Sequence, residues 1–159
     1  MKISLESPTL PEVRQLIEAL DAYQQPLYPP ESHHGIDIDA LAADDVLFAV
    51  ARDEHGQAVA CGAMRLEDGR AELKRFFTLP AQRGKGTARQ LLAWLEARAC
   101  QLGYREFLLE TGYLQDAAIR FYESCGYVPC GPFGTYVDDP NSVFCLLYTS
   151  PSPRDAQLS

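Results

Sequence analysis

A chain of 159 residues fits one domain and can bury a proper core, and 47% apolar against 23% charged residues is ordinary for a globular protein. A net charge of −8 argues against nucleic acid as a partner, and no apolar run reaches the length needed to cross a bilayer. The five cysteines (Cys61, Cys100, Cys125, Cys130 and Cys145) are odd in number and lack CxxC spacing, so they read as reduced, small apolar residues rather than a disulfide framework or zinc site.

The start, MKISLESPTL, has no apolar segment of the kind a secretion signal needs, so a cytoplasmic protein is expected. Residues 2–6 alternate as KISLE, a short strand. Thr9-x-x-Glu12 has capping-box spacing and Pro11 suits a first helical turn. Val13, Leu16, Ile17 and Leu20 then recur at i, i+3, i+4 and i+7, which predicts an amphipathic helix to about Tyr23. Pro26, Pro29 and Pro30 make 24–31 a stiff loop. His33 and His34 follow, ahead of a short helix or helical turn in IDIDALAADD. Adjacent histidines share no helix or strand face and are poor joint metal ligands. Either could line a substrate pocket or act as a base near neutral pH, and either could be an ordinary loop histidine.

Val46–Arg52 and 58–66 are β-rich runs joined by a turn at 53–57, and 70–79 follows after Asp68-Gly69, giving three strands in a meander. The next segment is a long helix with its buried face expected at Ala88, Leu91, Leu92, Leu95, Ala99 and Leu102 and its stop at Gly103. Residues 104–110 are a strand again. A strand–helix–strand unit of this length implies a right-handed crossover and a parallel pair. Residues 116–125 form a further helix, turned inward through Ala118, Phe121, Tyr122 and Cys125 and stopped by Gly126. A strand begins at 127–130, 131–140 is a Gly/Pro/Asp-rich loop, and Ser142–Tyr148 is a last apolar run. One domain therefore spans 1–148, and the Ser/Pro-rich 149–159 reads as disordered.

Between the third strand and the long helix lies Arg83-Gly84-Lys85-Gly86-Thr87-Ala88, two glycines with two cations. Glycines let a backbone approach a ligand closely, first-turn N–H groups have no partner inside the helix, and the helix dipole favours negative charge. A phosphate would sit well there. The spacing is not that of a Walker loop, and Arg89 stands where a dinucleotide fingerprint needs its third glycine. A strand-to-helix turn with glycines used for tight geometry is the other reading that the residues leave open.

Arg83-x-x-Gly86-x-Ala88, after a strand and opening a helix, resembles the Q/R-x-x-G-x-G/A signature of the GCN5-related N-acetyltransferases. Downstream, Ala118-Ile119-Arg120-Phe121-Tyr122-Glu123-Ser124-Cys125-Gly126-Tyr127 resembles that family's second hallmark, an Ala-x-x-(apolar)-Tyr-x-x-x-Gly-(aromatic) helix. Either motif alone is weak; together, in this order and over the element order of 2–148, they are specific. ESHHG, ELKR and DDPNSVF further resemble a bacterial branch of small-molecule acetyltransferases. The resemblance implies an α/β fold with a mixed central sheet of six to seven strands and about four flanking helices, the acyl-CoA N-acyltransferase fold. It implies acetyl-CoA as cofactor and a small amine or amino-acid-like molecule as acceptor. Members often dimerise, and no pattern here decides that point.

Residue by residue, the resemblance places the cofactor pyrophosphate on Arg83, Gly84, Lys85, Gly86, Thr87 and Ala88. It lays the pantetheine arm along Phe76, Phe77 and Thr78, where a backbone N–H would polarise the thioester carbonyl. It sets Gln115 where many relatives carry a cofactor-contacting Asn. Transfer to an amine needs a base to make the amine neutral and a proton donor for the departing thiolate. Tyr122 occupies the family's general-acid position; on the residues alone it could equally be a core tyrosine. Glu72, in phase with Lys74, Phe76 and Thr78 on its strand, is the leading base candidate, and a carboxylate merely paired with Lys74 or an arginine is the alternative. Glu110, at the end of the next strand, is a second base candidate on the substrate side, and 24–43, with His33 and His34, is expected to form one wall of the acceptor pocket.

One departure stands out. Relatives usually follow Ser-Val-Phe with a charged pair and stop soon after, whereas here Cys145 leads into LLYTSPSPRDAQLS. Residues from about Leu146 onward are therefore expected to be foreign to the fold. Two rival functions remain at this level: a non-catalytic acyl-CoA-binding module on the same fold, which would bind CoA yet turn nothing over, and a generic nucleotide-phosphate binder, for which ATP or NAD would compete with CoA.

Overall fold

The computed structural model describes residues 1–29, 37–134 and 136–149. Each apolar run of the sequence becomes one element: β1 (Lys2–Leu5), α1 (Pro11–Gln24), α2 (Ile38–Leu41), β2 (Val46–Arg52), β3 (Ala58–Glu67), β4 (Arg70–Thr78), α3 (Thr87–Gln101), β5 (Glu106–Gly112), α4 (Asp116–Ser124), β6 (Val128–Cys130) and β7 (Ser142–Tyr148). The strands form one mixed sheet in the order β1-β2-β3-β4-β5-β7-β6. β4 and β5, joined through α3, pair in parallel, and all other neighbours are antiparallel. Among the described residues no helix is long and apolar enough to cross a membrane, and all five cysteines are free thiols.

Helices cover both faces of the sheet because its central strands alternate between two apolar sets. On one face Leu91, Leu92, Leu95 and Ala99 of α3 pack on Met64, Leu73, Phe107 and Leu109. On the other, Val13, Leu16, Ile17 and Leu20 of α1 pack on Phe48, Val50, Cys61 and Phe77. The helical spacing read from the sequence thus marks the buried stripes of α1 and α3, with two exceptions at the ends of α3. Ala88 is only partly buried and lines a cavity. Leu102 is 57% exposed: α3 ends at Gln101, and Leu102 is its C-cap, beyond the last turn that keeps the period.

The predicted capping box does not form. The α1 N-cap is Leu10, with no side chain closing the turn, and the Thr9 hydroxyl bonds to that of Ser7 instead. Glu12 is drawn to Arg52 on β2, which also holds Glu6. The guanidinium brings a full positive charge to the carboxylate, where a backbone amide offers only a dipole.

The strand phase expected along β4 is also interrupted. The β3–β4 register slips between Cys61 and Ala63, and Arg75 takes a left-handed backbone at φ 51°. An extra residue in one strand turns the following side chains over. Phe76 therefore faces α3 and Phe77 faces α1, and Glu72, Lys74 and Phe76 do not share a face as their spacing predicted. Beyond Cys145 the chain completes the sheet: Leu146, Leu147 and Tyr148 pair with Leu108, Phe107 and Glu106. The foreign tail expected from Leu146 thus has its first three residues inside a strand, while 150–159 lie outside the described residues.

Candidate active site

The site is a split in the sheet. β4 and β5 pair only from Arg70↔Glu106 to Leu73↔Leu109. Past that point β4 continues against β3 alone, so from Lys74 onward its β5-facing edge has no strand beside it. The Arg75 bulge lies at the fork. A residue other than glycine held at positive φ is sparsely populated and collects at functional sites. Two cavities open at the split and share Leu20, Phe76, Gln115, Ala118 and Tyr122.

The larger cavity, about 780 Å³, runs from Phe76, Phe77 and Thr78 to Arg83, Gly84, Gly86, Thr87 and Ala88. Gly84 and Gly86 have φ of 79° and 81°, and Gly86 is the α3 N-cap, with no side chain capping the helix start. A β-carbon on Gly86 would meet only Gln90 Nε2, at 4.0 Å, so the glycine serves backbone conformation and close approach rather than packing. Lys85 is exposed on the loop and is not part of the cavity wall. Thr78 Oγ1 is buried with no hydrogen-bond partner among the described residues. An orphaned hydroxyl of this kind costs about 1–3 kcal/mol. An uncapped helix start behind two glycines, an unpaired strand edge and a buried hydroxyl without a partner together fit the pyrophosphate and amide-bearing arm of CoA.

The Tyr122 ring is pinned at the junction. It is 7% exposed and packs edge-on against Phe121 and Tyr127, at 5.4 and 5.9 Å between centroids, while Phe121 stacks on Phe76. Its hydroxyl makes no hydrogen bond with the described residues. Burial drives its pKa upward, so it stays a neutral phenol. Gln115, the α4 N-cap, accepts from the Gly112 N–H and the Thr111 hydroxyl, at 3.1 and 3.3 Å, and so holds the β5–α4 turn.

The smaller cavity, about 240 Å³, lies on the α1 side of the split. Its wall includes Glu110, whose pKa burial pushes up to about 7. Glu72 is not on this wall. It is held by Lys74, with Oε2–Nζ at 3.0 Å, and by the Tyr136 hydroxyl, which donates to Oε2 at 2.6 Å. Of the two readings of Glu72, the paired carboxylate is the arrangement present. Lys74, Arg75, Tyr28 and Tyr136 also line the wall, none of them a site candidate on sequence. Arg75 is ion-paired with Asp21 of α1, and the Tyr28 hydroxyl accepts from Leu114 N–H at 3.1 Å. The Tyr28 ring fits because position 112 is glycine; a β-carbon there would collide with the phenol. Lys74 and Arg75 belong to the ELKR stretch, which sequence marked without a role for either, and Tyr28 and Tyr136 lie in Pro-rich and Gly-rich loops with no motif of their own. His33 and His34 lie outside the described residues. No cluster of metal-ligating side chains is found among those described.

Residues 13–127 match the family described as acetyltransferase (GNAT). An IAA acetyltransferase of Azospirillum brasilense is 44% identical over 144 residues, covering 89% of this chain and 94% of that protein. A crystal structure from Klebsiella pneumoniae, assigned as an acyl-CoA N-acyltransferase, superposes with a TM-score of 0.79 at 37% identity, over 92% of this chain and 96% of that one. The PaiA N-acetyltransferase of Thermoplasma acidophilum, solved with coenzyme A, superposes with a TM-score of 0.69 over 94% of this chain and 100% of that one. At 16% identity this last likeness is one of fold.

Proposed function

The chain belongs to the acetyltransferase (GNAT) family, and from that premise we propose that it moves the acetyl group of acetyl-CoA to the primary amine of a small, amino-acid-like acceptor. Acetyl-CoA, the family's usual co-substrate, supplies an acetyl group activated as a thioester. Arg83 and the Gly84–Gly86 backbone hold the diphosphate at the α3 start. The free edge of β4 pairs with the arm, and Thr78 gains the partner that it otherwise lacks.

The observation that carries the reading is the meeting of the two cavities at Phe76 and Tyr122, with Glu110 on one side of the split. Glu110 accepts the proton of the incoming amine. A carboxyl poised near neutral pH is matched to that task, whereas Glu72 is engaged by Lys74 and Tyr136. Tyr122, kept neutral by burial, donates a hydrogen bond to the departing sulfur and passes its proton there as charge develops. The acceptor cavity is below the usual range of about 300–1,000 Å³ for drug-sized ligands. That size, with Glu110 on the wall, favours a compact acceptor whose amine reaches Glu110.

The test is thiol release from acetyl-CoA over a panel of amino acids and simple amines. Turnover with a compact amino acid, lost in Glu110→Gln, is expected. CoA binding without thiol release for any acceptor would mark a non-catalytic acyl-CoA-binding module instead.

A further inference from the structure

Glu72 was the carboxylate that the sequence favoured as base, and it is the one that the fold takes out of reach. Its surroundings give it another task. Leu73↔Leu109 is the last β4–β5 pair, so Lys74 and Glu110 are the first residues on either side of the split, and both line the acceptor cavity. Lys74 is 9% exposed and its ammonium contacts both Glu72 and the Tyr136 hydroxyl. Tyr136 in turn donates to Glu72. Three groups from two distant stretches thus close a ring, and two of them, Lys74 and Tyr136, share the cavity wall with Glu110.

We propose that Glu72, Lys74 and Tyr136 act as one unit that governs when Glu110 carries its proton: Lys74 is a positioning residue held opposite Glu110 across the split, Glu72 compensates its charge, and Tyr136 locks the two together. The proposal takes its functional meaning from the reading of Glu110 as proton acceptor.

A lone ammonium beside Glu110 would hold that carboxylate ionised and leave it a weak base at neutral pH. A lone carboxylate in the same place would do the reverse. The paired arrangement lets burial dominate. The groups acting on Glu110 have defined signs: burial raises its pKa, Lys74 lowers it, and Glu72 and Asp139 raise it. Tyr136 from the 131–141 loop and Tyr28 from the segment after α1 approach the same carboxyl as neutral phenols, both kept protonated by burial. The Asp21–Arg75 ion pair is on the cavity wall as well, and its charges offset each other.

The experiment needs no acceptor. The full chain is labelled with [13C]glutamate, the Glu110 carboxyl resonance is assigned by its absence in Glu110→Gln, and its titration midpoint is measured by NMR. In the unmodified protein the midpoint is expected near 7. Glu72→Gln removes the carboxylate that Lys74 contacts and should lower the midpoint by about one pH unit. Lys74→Met should raise it by a similar amount, and Tyr136→Phe, which removes no charge, should move it less than either. The expected shifts are opposite in sign, so either charge variant decides the matter alone if the other does not fold. A midpoint unchanged in Glu72→Gln or Lys74→Met, or shifted the same way in both, overturns the proposal. Failure of the catalytic reading is seen separately, as thiol release that survives in Glu110→Gln.

Discussion

The two sides of the split were built in different ways. The proposed cofactor side is mostly local: β4, the 83–88 loop and the start of α3 follow one another in the chain, and α4 closes the cleft with Leu20 and Tyr23 of α1. The acceptor side is assembled from afar. Asp21 and Tyr28 come from α1 and the segment after it, Lys74 and Arg75 from β4, Glu110 from β5, and Tyr136 from the loop between β6 and β7. A binding mode shared by a whole family can be carried by a short motif whose backbone does the work. The proposed acceptor wall is made of side chains that the fold brings together, and these leave no spacing to read.

Substitutions on the two sides should therefore fail differently. The largest effect is expected at Gly86→Glu, which puts a β-carbon on a φ of 81° and a carboxylate at the proposed diphosphate site. CoA affinity should fall by roughly 100-fold or more, with the circular dichroism spectrum retained; calorimetry showing unchanged affinity would remove the loop from the site. Tyr122→Phe, at the junction, should lower kcat by about 100-fold and leave the KM for acetyl-CoA in place. A fall in thermal stability with kcat intact would make Tyr122 a core residue.

Glu110→Gln separates the acceptor side through pH. A carboxyl whose folded pKa lies above its unfolded value binds its proton more tightly in the native state, so stability is lost as pH rises from about 4.5 through about 7. The variant lacks that loss. It should be more stable than the parent at pH 8 by up to about 3 kcal/mol, while the two come together near pH 4.5. Denaturant midpoints at the two pH values check this. The smallest effect is expected at Thr78→Val. Removing an orphaned hydroxyl while keeping its shape should stabilise the free protein by about 1 kcal/mol and weaken CoA binding several-fold. Equal Tm values for variant and parent would mean that the hydroxyl bears no desolvation cost.

The order of elements, the apolar stripes of α1 and α3, the Gly84–Gly86 loop and the Tyr122 helix were legible in the sequence because each depends on residues a few positions apart. Helical and strand periods and glycine conformations are properties of short segments. Other features had no such signature. Thr9 and Glu12 look like a cap until Arg52, forty residues on, comes within 2.9 Å of Glu12. Glu72, Lys74 and Phe76 share a face on an unbroken strand, and it takes a register slip against β3 to put Phe76 on the other side. Glu72 and Glu110 are both carboxylates near the end of the β4–β5 pairing. Pairing strength, burial and charge partners tell them apart, and all three are set by where β4 and β5 part and by what the 131–141 loop and α1 place beside them. Periodicity is additive along the chain and survives in sequence, whereas the protonation of a buried carboxyl is a sum over neighbours that adjoin it only once the sheet has formed and split.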